Sequence, residues 1–495
     1  MGMRFFNLCL AIGLFASLSH AQDDRLRALY EHAKSAEKSG DYKSATGDYD
    51  KIIQLRPDMA EAYANAGNLY YLQGEIPRAE TYFRKAISLK PQLPGPHFFL
   101  GILDFKARDY RGALKSLEEA ERLDPSNNLI QAHLGYTEFA LHDYSKAAAH
   151  LENAANSQGR DSDVFYHLSK AYANLAKIGF RDLKAKFPGS VFTALAAAHA
   201  YEAQQNWDLA LQQYQRAAAQ RPSDVRLRKK VEEISARKSG KRIQPDISAA
   251  DSQIDGSLVL FYDPPTGNSI ETTLKKYQQR GQELRNRQAS AEGLYELAEG
   301  YQAMSYLASQ WVFEINPESY RAHLLKGQYY EDINDDANAV LEYRKAAEIN
   351  PALPNIHFLI GNLYWHRDKL DEALPELRKE LASDPTHPQA LYETGDIFLT
   401  RNQPAQAESY FLKALKFEPN MEEAHLALER IYSGQRQYDK AVLHLRTAIE
   451  IDPKDPTPHY RLSRVYQQMG KAPESRAELA VFAKLKREQP AQDHP

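Results

Sequence analysis

Cysteine is nearly absent from this chain of 495 residues, with Cys9 standing alone. No disulfide can therefore hold the fold. An excess of charge of either sign is missing too. The formal net charge is −4, with 26% charged residues. That balance excludes a general nucleic-acid binder and an acidic disordered tail. Tryptophan is scarce, at 3, whereas tyrosine reaches 30. After the N-terminal segment, no run is long and apolar enough to span a bilayer. Catalytic signatures are lacking as well: there is no His-Glu-x-x-His, phosphate loop, dinucleotide glycine fingerprint or nucleophile elbow. The expectation is a protein that is not an enzyme, with no cofactor and no metal.

The N-terminal segment reads as a processing signal. Arg4 gives a short positive start, and Phe5 to Leu18 is an apolar stretch too short for an ordinary membrane span. Ser19-His20-Ala21 places small residues where a signal peptidase reads. The expected signal peptide is 1–21, with cleavage after Ala21 and a periplasmic or secreted mature chain. Cys9 lies inside it, so the mature chain carries no thiol into an oxidising compartment.

What the chain does have is a period. Proline recurs every 34 residues at Pro317, Pro351, Pro385, Pro419 and Pro453. Earlier come Pro57, Pro91 and Pro125, then Gly159 in the next place, then Pro188 and Pro222. A fixed period of this length means one supersecondary unit stacked many times. Such stacks usually present binding surfaces rather than catalytic pockets. Within residues 60–93, apolar and small residues recur at helical spacing in two blocks, interrupted near Gln73-Gly74-Glu75. The unit is expected to be a helix, a tight turn and a second helix. Pro91 ends it, because proline lacks the N–H and costs about 3 kcal/mol in a helix interior. Gly67 sits mid-helix, where glycine costs about 1 kcal/mol relative to alanine. It makes sense if another helix packs closely against it, and Ala79 follows the same logic.

This pattern resembles the tetratricopeptide repeat. Tyr63, Gly67, Tyr70, Ala79, Phe83, Ala86 and Pro91 fall at the family's signature positions. The next unit repeats them with His97, Leu100, Gly101, Ala113, Leu117, Ala120 and Pro125. The units ending at Pro351, Pro385 and Pro419 are as clear, while the unit before Pro453 has Glu429 in place of the small residue. The family's tryptophan is replaced in most units by histidine or tyrosine. The resemblance implies an all-α, right-handed solenoid of about eleven helix-turn-helix units in two arrays. Residues 22–242 are expected to form an N-terminal array with a basic capping helix, 243–290 a linker, 291–489 a C-terminal array, and 490–495 a tail. Irregular helix pairs are expected at 162–190 and 291–319, one in each array.

A second regularity underlies the first. The segment from Phe165 to Pro222 aligns without gaps on that from Leu294 to Pro351, at an offset of 129 residues. Tyr166/Tyr295, Leu168/Leu297, Tyr172/Tyr301, Ser190/Ser319 and Tyr214/Tyr343 are among the matched pairs. We read this as a duplicated module. Between the arrays, 223–242 is a basic helix whose apolar side is too thin to lie on a membrane. Residues 243–270 have linker composition, with a short apolar run, 257–262, expected to pack on an array end or in a groove.

Sixteen histidines are present. Most fall singly within the repeats, and units in register hold them about 20 Å apart, too far to share a metal. They are expected to be packed or surface side chains. In the resembling family, first helices line a concave groove, and matching positions give candidate partner-binding residues. In the first array these include Asn68, Tyr71, Phe98, Phe105, Tyr136 and Phe139. In the second they include Phe358, Asn362, Trp365, Tyr392, Asp396, Arg430 and Arg464. Tyr71, Phe105 and Phe139 are equivalent and are expected to form an aromatic row suited to an extended or amphipathic peptide. Arg430 and Arg464 are equivalent and suit a carboxylate-bearing partner. The basic pair of chaperone-binding members is missing: Tyr30 accompanies Lys34, and Gly95 and Phe99 stand where two basic residues are needed.

The function expected is a non-catalytic scaffold that binds protein or peptide partners in a bacterial cell envelope. The alternative is an accessory role in outer-membrane or polysaccharide export. An enzyme is a third reading, which an acidic or histidine cluster facing one groove would favour.

Overall fold

The first helix of each regular unit ends in the same backbone solution. A residue just past it turns left-handed: Gly40, Gly74 and Gly470 do so with φ of 74–80°, and Arg108, His142, Gln205, Asn334, Asp368, Asn402 and Arg436 with φ of 55–63°. The next amide then reaches back five residues. Glu75 N–H donates to the Tyr70 carbonyl at 2.9 Å, and Lys369 N–H to the Tyr364 carbonyl at 2.9 Å. This Schellman geometry satisfies carbonyls that a helix end would leave open. A second helix starts at once, and the recurring proline follows its end.

The computed structural model describes residues 20–155, 161–239, 279 and 290–488. These hold 23 helices and no strand, as expected for an α-solenoid. In one unit, Met1–Pro317, five regular pairs are His20–Ser39/Tyr42–Leu55, Ala60–Leu72/Ile76–Leu89, Pro94–Lys106/Tyr110–Leu123, Asn128–Ala140/Tyr144–Ala155 and Val191–Ala203/Trp207–Gln220. In the other, Glu318–Pro495, five more are Tyr320–Asp332/Asp336–Ile349, Ile356–His366/Leu370–Ser383, Pro388–Thr400/Pro404–Phe417, Glu422–Gly434/Tyr438–Ile451 and Pro456–Gln468/Ala472–Glu488. Residues 1–19 of the expected signal peptide 1–21, the segment 257–262 with nearly all of the 243–290 linker, and the 490–495 tail lie outside the described residues.

Within a pair, the second helix buries small residues and one large one. Ala79, Phe83 and Ala86 are fully buried, as are Ala407, Phe411 and Ala414. The large side chain explains the glycine opposite. A Cβ at Gly67 would lie 2.8 Å from Phe83 Cε1, and one at Gly395 would lie 2.8 Å from Phe411 Cε1. Three of the histidines at the tryptophan position have carboxylate partners in the second helix, nineteen residues on, whereas His97 Nε2 lies 3.0 Å from the Pro91 carbonyl. His323 Nδ1 lies 2.6 Å from Glu342, His357 Nδ1 2.8 Å from Glu376, and His459 Nδ1 2.6 Å from Glu478.

Several first helices of neighbouring units also touch one another: Ala60–Leu72 meets Pro94–Lys106, and Ile356–His366 meets Pro388–Thr400. Among the described residues, second helices make no comparable contacts with one another and instead touch the first helices on either side. The first helices therefore lie on the inner side of each array.

Two segments depart from the expected pairing. Ser162–Lys186 and Ala291–Ile315 are each one continuous helix of 25 residues, not a helix pair. Neither contains proline, and no left-handed residue interrupts them, so nothing forces a turn. They pack antiparallel against each other. Phe165 stacks near Trp311 (5.4 Å), Tyr172 on Tyr301 (6.1 Å), and Phe180 contacts Tyr295 (6.5 Å). Leu151, Leu168, Tyr172, Leu297, Tyr301 and Leu307 share one core. Ala291–Ile315 thus serves as the second helix of a unit opened by Ser162–Lys186. Residues 291–317 belong to the first unit and not, as expected, to the start of the second array. Their partner lies more than a hundred residues upstream, a distance no 34-residue pattern conveys.

Candidate functional site

The inner faces of the two arrays differ in chemistry. In the first, Tyr71 OH accepts a hydrogen bond from Lys106 Nζ at 2.6 Å, and the ammonium sits 4.6 Å from the Tyr71 ring. Phe105 packs on Tyr110 (5.3 Å) and Phe139 on Tyr144 (5.4 Å). The ring contacts of Tyr71, Phe105 and Phe139 therefore do not link them directly into a row. Phe105 and Phe139 rest on the first residue of their own second helix. A different aromatic series does cross units. Buried Phe98 meets His133 at 5.3 Å, His133 meets Tyr136 at 5.5 Å, and Tyr136 meets His167 at 4.5 Å, with Phe139 also on His167 at 5.9 Å. Burial, then the nearby Lys106, push the His133 imidazole down to about 4, so it is neutral at physiological pH. Asn68 is half-buried, and its Oδ1 has no hydrogen-bond partner.

In the second array, the polar positions bond between units. Asn362 Nδ2 donates to Glu393 Oε1 at 2.7 Å, and Trp365 Nε1–H donates to Asp396 Oδ2 at 2.9 Å. Phe358 lies on His387 (4.5 Å), and Tyr392 between Trp365 (6.2 Å) and Phe411 (5.6 Å). Further along, Arg461 pairs with Glu429 at 3.2 Å. Arg464 is exposed, 3.5 Å from Tyr460 OH, and Arg430 is exposed without an ion pair. Next to the first array's last regular pair, helix Val225–Lys238 buries Leu227 and Ile234. Its Lys230 bonds Glu202 at 2.8 Å, and Arg237 bonds Glu233 at 2.9 Å. Its basic charge is thus partly balanced within the array.

The helix-pair unit, its left-handed turn and its 34-residue spacing coincide with stretches recognised by sequence models described as tetratricopeptide repeat or TPR repeat. These match residues 30–94, 100–173, 193–226, 320–353, 358–422 and 430–470, which together make up well over half of the chain. The chain belongs to the tetratricopeptide repeat family.

This TPR chain is similar to the Hsp70-Hsp90 organizing protein 1 of Glycine max, with 30% identity over 90 residues, a stretch that spans 18% of this chain and 16% of that relative. Among solved structures it is similar to the MamA protein (17% identity, 36% of this chain and 97% of MamA, TM-score 0.33). It is similar also to YrrB, described as a TPR protein with an unusual peptide-binding site (19% identity, 37% and 93% covered, TM-score 0.33).

Several side chains of the TPR faces carried no signal in the sequence. Lys106, His133 and His167 join the first face, and Glu393 and Arg461 the second. Each acts across a unit boundary, where a repeat-by-repeat comparison does not look. Among the described residues, no group of three or more His, Cys, Asp or Glu is placed to hold a metal ion. No described helix is long and apolar enough to cross a membrane.

Proposed function

We propose that the chain is a non-catalytic scaffold that holds protein or peptide segments along the first-helix faces of its two arrays. We further propose that it works in a bacterial cell envelope, as a periplasmic or secreted protein. Repeats of this family are a protein-interaction architecture, which supports the first statement; the signal-like residues 1–21 support the second. The observation that carries the reading is the asymmetry within each pair. Second helices sink their small and aromatic residues into the stack, whereas Asn68, Tyr71, Phe105, Asn362, Trp365 and Tyr392 on first helices stay half-buried on the inner side. Aromatic contacts dominate the first face and suit an amphipathic segment; hydrogen-bonded polar pairs mark the second.

A chaperone C-terminus is not the proposed ligand of the first face. Phe99 is stacked on Phe83 at 5.2 Å, and Lys34 is already bonded to Glu37 at 2.9 Å.

Immobilised mature protein exposed to a cell-envelope extract is expected to retain a specific partner, with export machinery as one possible identity. Tyr71→Ala with Phe105→Ala tests the first face, and Trp365→Ala with Arg430→Ala the second. At least one double variant should lose the partner while keeping its helical circular dichroism. Undiminished capture by both overturns the reading.

A further inference from the structure

One side chain on the second face is buried and incompletely satisfied. Glu393 is fully buried on helix Pro388–Thr400, and its Oε2 has no hydrogen-bond partner. Its Oε1 accepts from Asn362 Nδ2 at 2.7 Å and from Gln389 Nε2 at 3.3 Å. Both donors sit half-buried on adjacent first helices, so the carboxyl lies in the floor between two units. A buried charged oxygen without a donor is costly, and natural proteins rarely keep one idle.

Its surroundings share its sign. Asp396, one helical turn on, bonds the Trp365 indole through Oδ2. Glu423, from the next unit, acts on Tyr392 together with Asp396. Among the described residues no lysine or arginine pairs with Glu393, Asp396 or Glu423, and the exposed Arg430 makes no ion pair. Burial first, then Asp396, push the Glu393 carboxyl up to about 7 despite its two amide donors. Burial and then the carboxylates Asp396, Glu423 and Glu393 push the Tyr392 phenol up to about 12. Asp396 and Glu423 thus bring negative charge to this place with no cation to balance it, and beside Asp396 the rings of Trp365 and Tyr392 meet edge to face at 6.2 Å and 78°. Aromatic faces beside unpaired carboxylates favour a cation.

We infer that the second array holds a cationic side chain, arginine or lysine, of an extended peptide, with Glu393 and Asp396 as its carboxylate acceptors and Trp365 and Tyr392 as its walls. This rests on the peptide-scaffold reading above and names what that face selects. The incoming N–H groups donate to Glu393 Oε2 and supply the hydrogen bonds that burial denies it.

The test uses the full mature chain labelled with nitrogen-15, in which the three tryptophan indoles are resolved and Trp365 is assigned through Trp365→Phe. Capped alanine pentapeptides with a central arginine, lysine, citrulline or glutamate are titrated in. The arginine and lysine peptides should shift the Trp365 indole signal and bind at least tenfold more tightly than the neutral citrulline peptide. Glu393→Gln and Asp396→Asn should each erase that preference, and acidification from pH 8 to pH 6 should weaken it in the wild type. If arginine and citrulline peptides bind alike, the cation inference is overturned while the peptide-scaffold reading stands. Should spermidine match the arginine peptide, the site is a bare charge sink and the inference also fails. If no peptide moves any first-helix resonance of the second array, both readings fail there. The citrulline comparison in wild-type protein needs no variant to fold.

Discussion

Tyr172 and Tyr301 lie face to face, with ring centroids 6.1 Å apart and planes 24° from parallel, although 129 residues separate them in the chain. They are matched residues of the two segments that align at an offset of 129. Equivalent residues meet each other only near a local two-fold axis, so the paired helices Ser162–Lys186 and Ala291–Ile315 relate to one another as the halves of an isologous contact do. One chain has thereby built internally a contact that two copies of a half-length chain would make with each other. Caps within the two segments agree: Ser190 Oγ accepts from Thr193 N–H at 3.1 Å, and Ser319 Oγ from Ala322 N–H at 3.2 Å.

This pairing predicts opposite outcomes for two glycines. A Cβ at Gly179 would lie 2.9 Å from Ala298 Cβ, whereas at Gly300 nothing lies within 4 Å. Gly300→Ala should stabilise by about 1 kcal/mol through helix propensity alone. Gly179→Leu should destabilise by about 1–3 kcal/mol through overpacking. Urea denaturation measures both, and a stabilising Gly179→Leu would contradict the helix contact.

The histidine struts predict a repair. Glu342, Glu376 and Glu478 face histidines at one level of their units, but at that level His444 faces His425, Nδ1 to Nδ1 at 2.9 Å. Burial, then His425, push the His444 imidazole from 6.5 down to about 4, with Glu408 acting the other way. Between those values the unfolded chain binds the proton and the folded chain does not, so stability falls as pH drops through that window. His444→Glu should restore the strut and raise the thermal midpoint more at pH 5 than at pH 8. An equal shift at both would show that the histidine pair is not the source of the acid sensitivity.

The left-handed turn predicts a gain from glycine. Arg436 holds φ of 58°, a conformation that costs a non-glycine residue about 1–2 kcal/mol. The greater freedom of glycine in the unfolded chain offsets about 0.4–1 kcal/mol of that. Arg436→Gly should stabilise by about 0.5–1 kcal/mol, and Gly74→Ala, at φ of 80°, should destabilise by about 1 kcal/mol. Thermal unfolding of the two variants decides the signs.

The repeat was legible because it is local. Gly67 announces the ring of Phe83, and Pro91 announces a helix end, within one period. The partner of Ser162–Lys186 was not legible, since apolar spacing shows which face is buried but not which helix covers it. The aromatic row expected at Tyr71, Phe105 and Phe139 was drawn from equivalent positions. The structure instead links Phe98, His133, Tyr136 and His167, because side chains one unit apart meet on staggered turns rather than at matching ones. Glu393 reads in sequence as one more polar helix residue. Only the fold, which seats the neighbouring unit's Asn362 against it, shows it to be fully buried.

Glu393 also predicts a pH effect on the unliganded protein. Its folded pKa is raised from 4.5 to about 7, so over that interval the folded chain binds the proton more tightly than the unfolded chain. The stability that the proton confers is complete below 4.5 and lost as pH rises through about 7. Glu393→Gln should therefore raise the thermal midpoint at pH 8 and leave it nearly unchanged at pH 4. A lower midpoint at pH 8 would mean that the carboxylate is satisfied.

The claim on which the account turns is that the inner, first-helix faces are where partners bind. A photo-crosslinking amino acid placed singly at Tyr71, Phe105, Trp365 and Arg430, and at the exposed second-helix positions Leu412 and Leu443 (46% and 62% exposed), tests it in the intact cell. The account predicts discrete crosslinked products from the first-helix positions and none from the second. Products from Leu412 and Leu443 alone would contradict it.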